Sequence, residues 1–169
     1  MADASVRPAR AADAAELGRI QVETWRLGYA DVLPSAVLTE LSPELAAETW
    51  TAALTDPPSP RHRVLVAQEG EWTVGFVAVA PEDDRSVELG PLLVEPRWGR
   101  RGHGSRLLAA AIDTVRPDGV TRAVAWLPEA DEVSRTFFGS AGWAADGAAR
   151  VLDTGAGQLR EIRIHVALD

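Results

Sequence analysis

Apolar and polar positions alternate along the chain with two different periods, and the changes of period mark out the elements. Residues 5–9 read as a short first strand. Over residues 13–29 apolar side chains recur every three to four positions. Leu17, Ile20, Thr24 and Leu27 share one face and Val22, Trp25 and Tyr29 the other, which predicts a helix with core on one side and a wall or groove on the other. Asp13 stands where it can cap or lead that helix. Short helices are predicted over 35–41 and 44–54, near Pro34 and Pro43, whose missing N–H costs little at a helix start. The breaker cluster Asp56-Pro57-Pro58-Ser59-Pro60 must be a loop. It is not a domain boundary, because the segment before it is too small to hold its own core.

The period then shortens to that of strands. Runs 63–68, 72–80 and 86–95 are separated by Glu69-Gly70 and Pro81-Glu82-Asp83-Asp84, tight polar connections that predict an antiparallel meander. Pro91 has no N–H for a ladder, so it marks an edge, a bulge or a place where strands part. A helical pattern returns over 104–115, with Leu107, Leu108, Ala111, Ile112 and Val115 on one face and Pro117 as the stop. A strand over 120–127, a helix over 129–141 ended by Gly142, and a closing hairpin of 143–152 and 159–168 complete the chain. This order predicts one mixed sheet with helices on both faces.

Composition narrows the chemistry. At 169 residues the chain is expected to be one domain, 46% hydrophobic and 25% charged, in the ordinary globular range. It has no cysteine, which removes disulfides, thiolate metal sites and a thiol nucleophile. All its basic residues are arginine, so Walker-A and Schiff-base lysines are absent as well. A net charge of −8 argues against bulk binding to nucleic acid or anionic membrane. No apolar run approaches the roughly 20 residues that span a bilayer, and no leader pattern is visible at Met1 to Ser5; the expected location is the cytoplasm. His62, His103 and His165 are scattered and read as ordinary surface or sheet residues, so no metal is expected.

Against that acidic background one stretch stands out. From Arg97 to Ile112 there are four arginines and no acid, set on a turn rich in glycine that leads into a helix. Gly102 and Gly104 are expected to take positive φ and to bring backbone N–H groups close to a ligand. A helix start presents free N–H groups and the positive end of its dipole, so the stretch is suited to a phosphate. It is not a dinucleotide fingerprint, because the third glycine is missing after Gly102-His103-Gly104. No G-x-S-x-G or H-E-x-x-H motif is present.

Val94-Glu95-Pro96 followed by Arg101-Gly102-His103-Gly104-Ser105-Arg106-Leu107-Leu108 resembles the pyrophosphate-binding segment of the GNAT superfamily of acyl-CoA-dependent N-acyltransferases. The likeness extends through residues 122–126 and 131–143, ending on Ala141-Gly142-Trp143. Thr24-Trp25-Arg26-Leu27-Gly28-Tyr29 and Leu33-Pro34 resemble a helix-pair pattern of bacterial members. The resemblance implies an α/β fold (α+β mixed) around a mostly antiparallel sheet of six to seven strands, splayed near the CoA site. It implies that backbone groups of Leu92, Leu93 and Val94 pair with the pantetheine arm of acetyl-CoA. The N–H groups from Gly99 to Gly104, with the Ser105 hydroxyl, would hold the pyrophosphate. Arg100, Arg101 and Arg106 would add charge, Arg101 or Arg106 meeting the ribose 3′-phosphate.

The same resemblance places Asp131, where an asparagine is frequent, and Ser134 and Phe138 beside the cofactor, with Phe138 facing the sulfur and Phe137 in the core. Gly99 stands where glutamine or arginine is usual. Phe138 replaces the family's usual tyrosine and cannot protonate the departing thiolate; Ser134, Tyr29 or water could. Trp25 and Tyr29 would line the acceptor groove.

Glu88 lies where some members keep a general base. An alkyl amine with a pKa near about 10.4 is mostly protonated at neutral pH, so a carboxylate that takes its proton would help. Alternation with Val87 and Leu89 is equally compatible with a solvent-facing residue. The expected activity is direct transfer of acetyl from acetyl-CoA to a primary amine of a small molecule or peptide; without cysteine, no thioester-enzyme intermediate can form. Glu23, Asp31 and Glu40 near the groove mildly favour a cationic acceptor, and a charged, solvated helix face explains them at least as well. An acyl-CoA-binding sensor or partner module without catalysis is the alternative, favoured by Phe138. A homodimer would cover strand edges and exposed tryptophans at Trp50, Trp72 and Trp143.

Overall fold

A computed structural model describes residues 3–169. Its elements are β1 (Ala4–Pro8), α1 (Ala14–Gly28), α2 (Ser35–Glu40), α3 (Pro43–Thr55), β2 (Arg63–Glu69), β3 (Trp72–Pro81), β4 (Ser86–Val94), α4 (His103–Val115), β5 (Arg122–Pro128), α5 (Glu132–Ser140), β6 (Ala144–Asp153) and β7 (Gln158–Ala167). The seven strands form one sheet in the order β1-β2-β3-β4-β5-β7-β6. Every neighbouring pair is antiparallel except β4 and β5. The mixed, mostly antiparallel sheet expected from the sequence is therefore present, with helices on both faces.

The two faces bury different sets of side chains. Strand residues such as Val74, Val77, Val87, Leu89, Ala123, Ala125 and Ile164 pack with Leu107, Leu108 and Ala111 of α4 and Phe138 of α5. On the other face Val66, Phe76 and Leu93 pack with Leu17 and Ile20 of α1 and Trp50 of α3. Trp50 meets Phe76 edge-on at 5.0 Å between centroids, and its indole N–H donates to Gln21 Oε1 at 2.8 Å. A Cβ on Gly18 would come within 2.6 Å of Ala47 N, so α1 and α3 touch backbone to backbone there.

Several expectations are corrected by this packing. The second face of α1 meets α3 through Gly18 and Gln21 rather than forming only a groove wall, and Leu27 at its end is exposed. Asp13 leads α1 from its N-cap position but does not cap it with its side chain. Its carboxylate takes two hydrogen bonds from the Arg7 guanidinium, at 2.8 and 2.9 Å, and one from the Arg10 N–H. Of the three tryptophans expected to need cover, Trp50 and Trp143 are buried and Trp72 is exposed. Both buried rings fill space between a helix and the sheet, which single-strand alternation cannot reveal.

Pro91 marks both a bulge and a parting of strands. Opposite β3, Val79 pairs with Leu89 and Val77 with Leu92, so β4 carries one extra residue at Gly90-Pro91. The extra residue reverses the alternation. Val87 and Leu89 face α4 before it, and Leu92 and Val94 face α4 after it, which turns Leu93 toward α1. On the other side β4 pairs with β5 only from Ser86 to Glu88. Beyond Glu88 the two strands diverge.

Candidate active site

The divergence leaves residues 89–94 of β4 bonded to β3 on one side and to no strand on the other. An unpaired strand edge offers N–H and C=O groups that an extended ligand can pair with. Leu92, Leu93 and Val94 lie on this edge. It runs through a single turn at residues 96–98 into the glycine turn and α4.

At that turn Gly102 has φ +82°, a conformation that favours glycine, and a Cβ there would lie 3.0 Å from Arg106 Nη1. Gly104 does not share it: it is inside α4, and the missing side chain makes room for the Phe137 ring, 3.2 Å from where a Cβ would be. Arg100 is the one non-glycine residue with positive φ, +61°, among the described residues. The N–H of Arg106 is the first in α4 to find its helical acceptor, the Gly102 carbonyl at 3.0 Å. The N–H groups of His103, Gly104 and Ser105 before it are the free donors of a helix start.

The charge of the turn is more restrained than the sequence suggests. Arg101 pairs with Glu69 at the end of β2, at 2.8 Å, and lies over the Trp98 ring. Arg106 donates to the Arg101 carbonyl at 2.8 Å and to His103 Nδ1 at 3.1 Å. Both guanidinium groups expected to reach for a 3′-phosphate are thus engaged in holding the turn, and Arg100 alone of the site's arginines has no ion pair or hydrogen bond among the described residues. His103 is not a surface histidine: it is 1% exposed, with Nε2 3.1 Å from Glu69 Oε1. Glu95, just after β4, is 3% exposed. It binds Arg19 of α1 at 2.6 Å and Arg97 at 3.2 Å. Burial opposes ionisation of Glu95, but the two guanidinium groups outweigh it and hold its carboxyl below the usual range.

Glu88 occupies the apex of the gap, as the last β4 residue paired with β5, through Val124. Its neighbours Val87 and Leu89 belong to the α4-side core, so its side chain is on the α1 face. It is half-buried, and no hydrogen bond or ion pair engages its carboxylate among the described residues.

Across the gap, Asp131 caps α5, accepting from the Ser134 N–H at 3.1 Å and its hydroxyl at 2.7 Å. Tyr29, at the end of α1, brings its phenol to this pair and stacks on Trp25, with 6.4 Å between centroids. Burial first, and then the Asp131 carboxylate, pushes the phenol's pKa up, so it keeps its proton. The sequence offered no sign that Tyr29, Asp131 and Ser134 meet, nor that Glu161 lies near them. Past α2's approach, Pro34 touches the tip of the β6–β7 hairpin, 3.6 Å from where a Gly157 Cβ would be. Glu23, expected to lend negative charge to the groove, instead pairs with Arg19 at 3.1 Å along α1.

Phe138 is 5% exposed, edge-on to Trp143 at 5.0 Å, and belongs to the core. Phe137 is the less buried of the two and packs on the start of α4, while Val133 is exposed. The expected division, Phe137 in the core and Phe138 in the site, does not hold, because α5 turns its Phe138 edge to the sheet.

Residues 22–143 match the sequence profile of the Acetyltransferase (GNAT) family. An uncharacterised N-acetyltransferase of Mycobacterium tuberculosis is 25% identical over 136 residues, covering 80% of this chain and 85% of that protein. The fold resembles the PaiA N-acetyltransferase of Thermoplasma acidophilum, solved in complex with coenzyme A, with TM-score 0.78 at 16% identity over 98% of this chain and 99% of that one. It also resembles yncA of Salmonella typhimurium, solved with its cofactor acetyl-CoA, with TM-score 0.69 at 20% identity over 98% and 94%. No group of three or more metal-ligating side chains is found among the described residues, and no helix there is long and apolar enough to cross a membrane.

Proposed function

The chain belongs to the GNAT acetyltransferase family and is an acyltransferase, and from that premise we propose that it moves an acetyl group from acetyl-CoA to a primary amine by direct attack in a ternary complex. One observation carries this reading. β4 loses its partner after Glu88 and runs on, open-edged, into a glycine turn at the start of α4. That edge matches an extended pantetheine arm, and the free N–H groups after it match a pyrophosphate. Coenzyme A and acetyl-CoA are bound by the structural neighbours PaiA and yncA, which agrees with this assignment.

The thioester would then sit in the β4–β5 gap, above its apex. Glu88, on the α1 face there, takes a proton from the acceptor ammonium, directly or through water, and leaves a lone pair on nitrogen. The nitrogen attacks the carbonyl carbon, the C–S bond breaks as the sulfur departs as thiolate, and the nitrogen gives up its second proton to water, which leaves a neutral amide. Tyr29, held protonated beside Asp131 and Ser134, would donate to that sulfur in a chain where Phe138 has no hydroxyl. Trp25 and Tyr29 form the wall that the amine passes. The acceptor is a small molecule or peptide amine, the site of action is the cytoplasm, and a homodimer would form on the exposed β6 edge.

Thiol release from acetyl-CoA across an amine panel, run beside calorimetric binding of CoA, tests the proposal. Turnover with at least one primary amine is expected. Binding without turnover on any amine would favour a CoA-binding module, and no binding would overturn the donor site.

A further inference from the structure

Beneath the proposed pyrophosphate seat lies a carboxylate, which is an odd neighbour for an anion. Glu69 ends β2, far from the turn in sequence, yet both its oxygens are engaged there. Oε2 accepts from Arg101 Nη1 at 2.8 Å and Oε1 faces His103 Nε2 at 3.1 Å. The His103 side chain is fully buried and that of Glu69 is 12% exposed.

Chemistry fixes the direction of each bond. Arginine can only donate, so His103 Nδ1, 3.1 Å from Arg106 Nη2, must carry a lone pair. Nε2 then carries the hydrogen and donates to Glu69. The same Arg106 nitrogen donates to the Arg101 carbonyl at 2.8 Å. Four hydrogen bonds thus close a ring from Glu69 through Arg101, Arg106 and His103 and back to Glu69. Gly102 lies between two members of the ring, in a left-handed backbone where a Cβ would lie 3.0 Å from Arg106 Nη1. Its four bonds run among residues of the turn and Glu69, so it fixes the peptide groups of the turn.

Resting on the donor site assigned above, we propose that Glu69 is a positioning residue: through His103 and Arg101 it presets the turn whose N–H groups take the pyrophosphate. Preorganised donors bind an anion without first being ordered, which is where the affinity comes from. The sign of a charge-removing substitution separates this role from simple electrostatics. If Glu69 acted only as a nearby negative charge, Glu69→Gln and Glu69→Ala would both tighten CoA binding.

The positioning role predicts the opposite. Glu69→Ala weakens CoA binding by about tenfold, the scale of one lost charge-assisted hydrogen bond. Glu69→Gln, which keeps one accepting oxygen, falls between it and the native protein. The KM for acetyl-CoA rises in step while kcat at saturation stays within about twofold, because the chemistry lies at the other end of the edge. Acetyl-pantetheine, a donor with no pyrophosphate, should show no matching rise in KM. Tighter or unchanged CoA binding in Glu69→Ala overturns the proposal. So does a parallel rise in KM for both donors with a fall in melting temperature, which would mean that Glu69 only holds the fold. If the native protein itself binds no CoA, the donor site fails first, and the proposal with it.

Discussion

The two halves of the proposed site are built in different ways. The donor half is continuous in sequence, from the open edge of β4 through the turn to the first residues of α4, and is braced from outside by two acids, Glu95 buried and Glu69 half-buried. Glu95 ties it to α1 through Arg19, and Glu69 ties it to β2. The acceptor half is assembled from separate pieces: the end of α1 with Trp25 and Tyr29, which reaches the α5 cap of Asp131 and Ser134 on the donor side, and the contact of Pro34 with the β6–β7 tip. A common donor requires one fixed seat, whereas acceptors differ, and loops and element ends can be altered without disturbing the sheet. Glu88 stands where the halves meet.

This contrast can be broken most sharply at Glu88. Glu88→Gln should lower kcat/KM for the amine by about 10²–10⁴, the range of general-base help, with CoA binding by calorimetry unaltered. A fall in CoA affinity of similar size would place Glu88 in the donor half instead. Tyr29→Phe should cost about 10² in kcat, the low end of general-acid help, again without a change in CoA affinity. If turnover survives this substitution intact, the thiolate leaves unaided and Tyr29 only lines the groove.

Donor-side changes should show the complementary pattern. Gly102→Ala forces a side chain into a left-handed backbone against Arg106. It should cost about 1–2 kcal/mol of stability and raise the KM for acetyl-CoA more than it lowers kcat. The smallest effect concerns pH. Glu95 has a folded-state pKa below its unfolded value, so its contribution is present above the unfolded value and is lost as pH falls through the folded one. Thermal melts below about pH 4 should therefore show native stability falling toward that of Glu95→Gln, with the difference largest at neutral pH. A difference that grows on acidification would contradict the assignment.

Local pattern made much of the donor half legible. A β-rich run with an interior proline, a glycine turn among arginines and an amphipathic helix are consecutive; Pro91 pointed to an edge, a bulge or a parting of strands, and the sheet has both of the last two, while splaying beside a donor site came from the family resemblance. What holds the turn was not legible. Glu69 and Glu95 act over long separations in sequence, so nothing beside them marks them out, and Arg101 and Arg106 read as free charge until their partners are seen. The burial of His103 and Phe138 depends likewise on which face of a helix meets the sheet, a matter of docking rather than period. The acceptor half was least legible because Tyr29, Asp131 and Ser134 meet only after the sheet has formed.

In the proposed function, β4's open edge and the turn after it form one continuous seat for the acetyl donor. A crystal structure with acetyl-CoA bound tests this most directly. The pantetheine arm should pair with backbone groups of Leu92 to Val94, with the pyrophosphate on N–H groups between Gly99 and Ser105 and the thioester within reach of Glu88. Acetyl-CoA bound with its pyrophosphate away from that turn, or with its arm outside the β4–β5 gap, would contradict it.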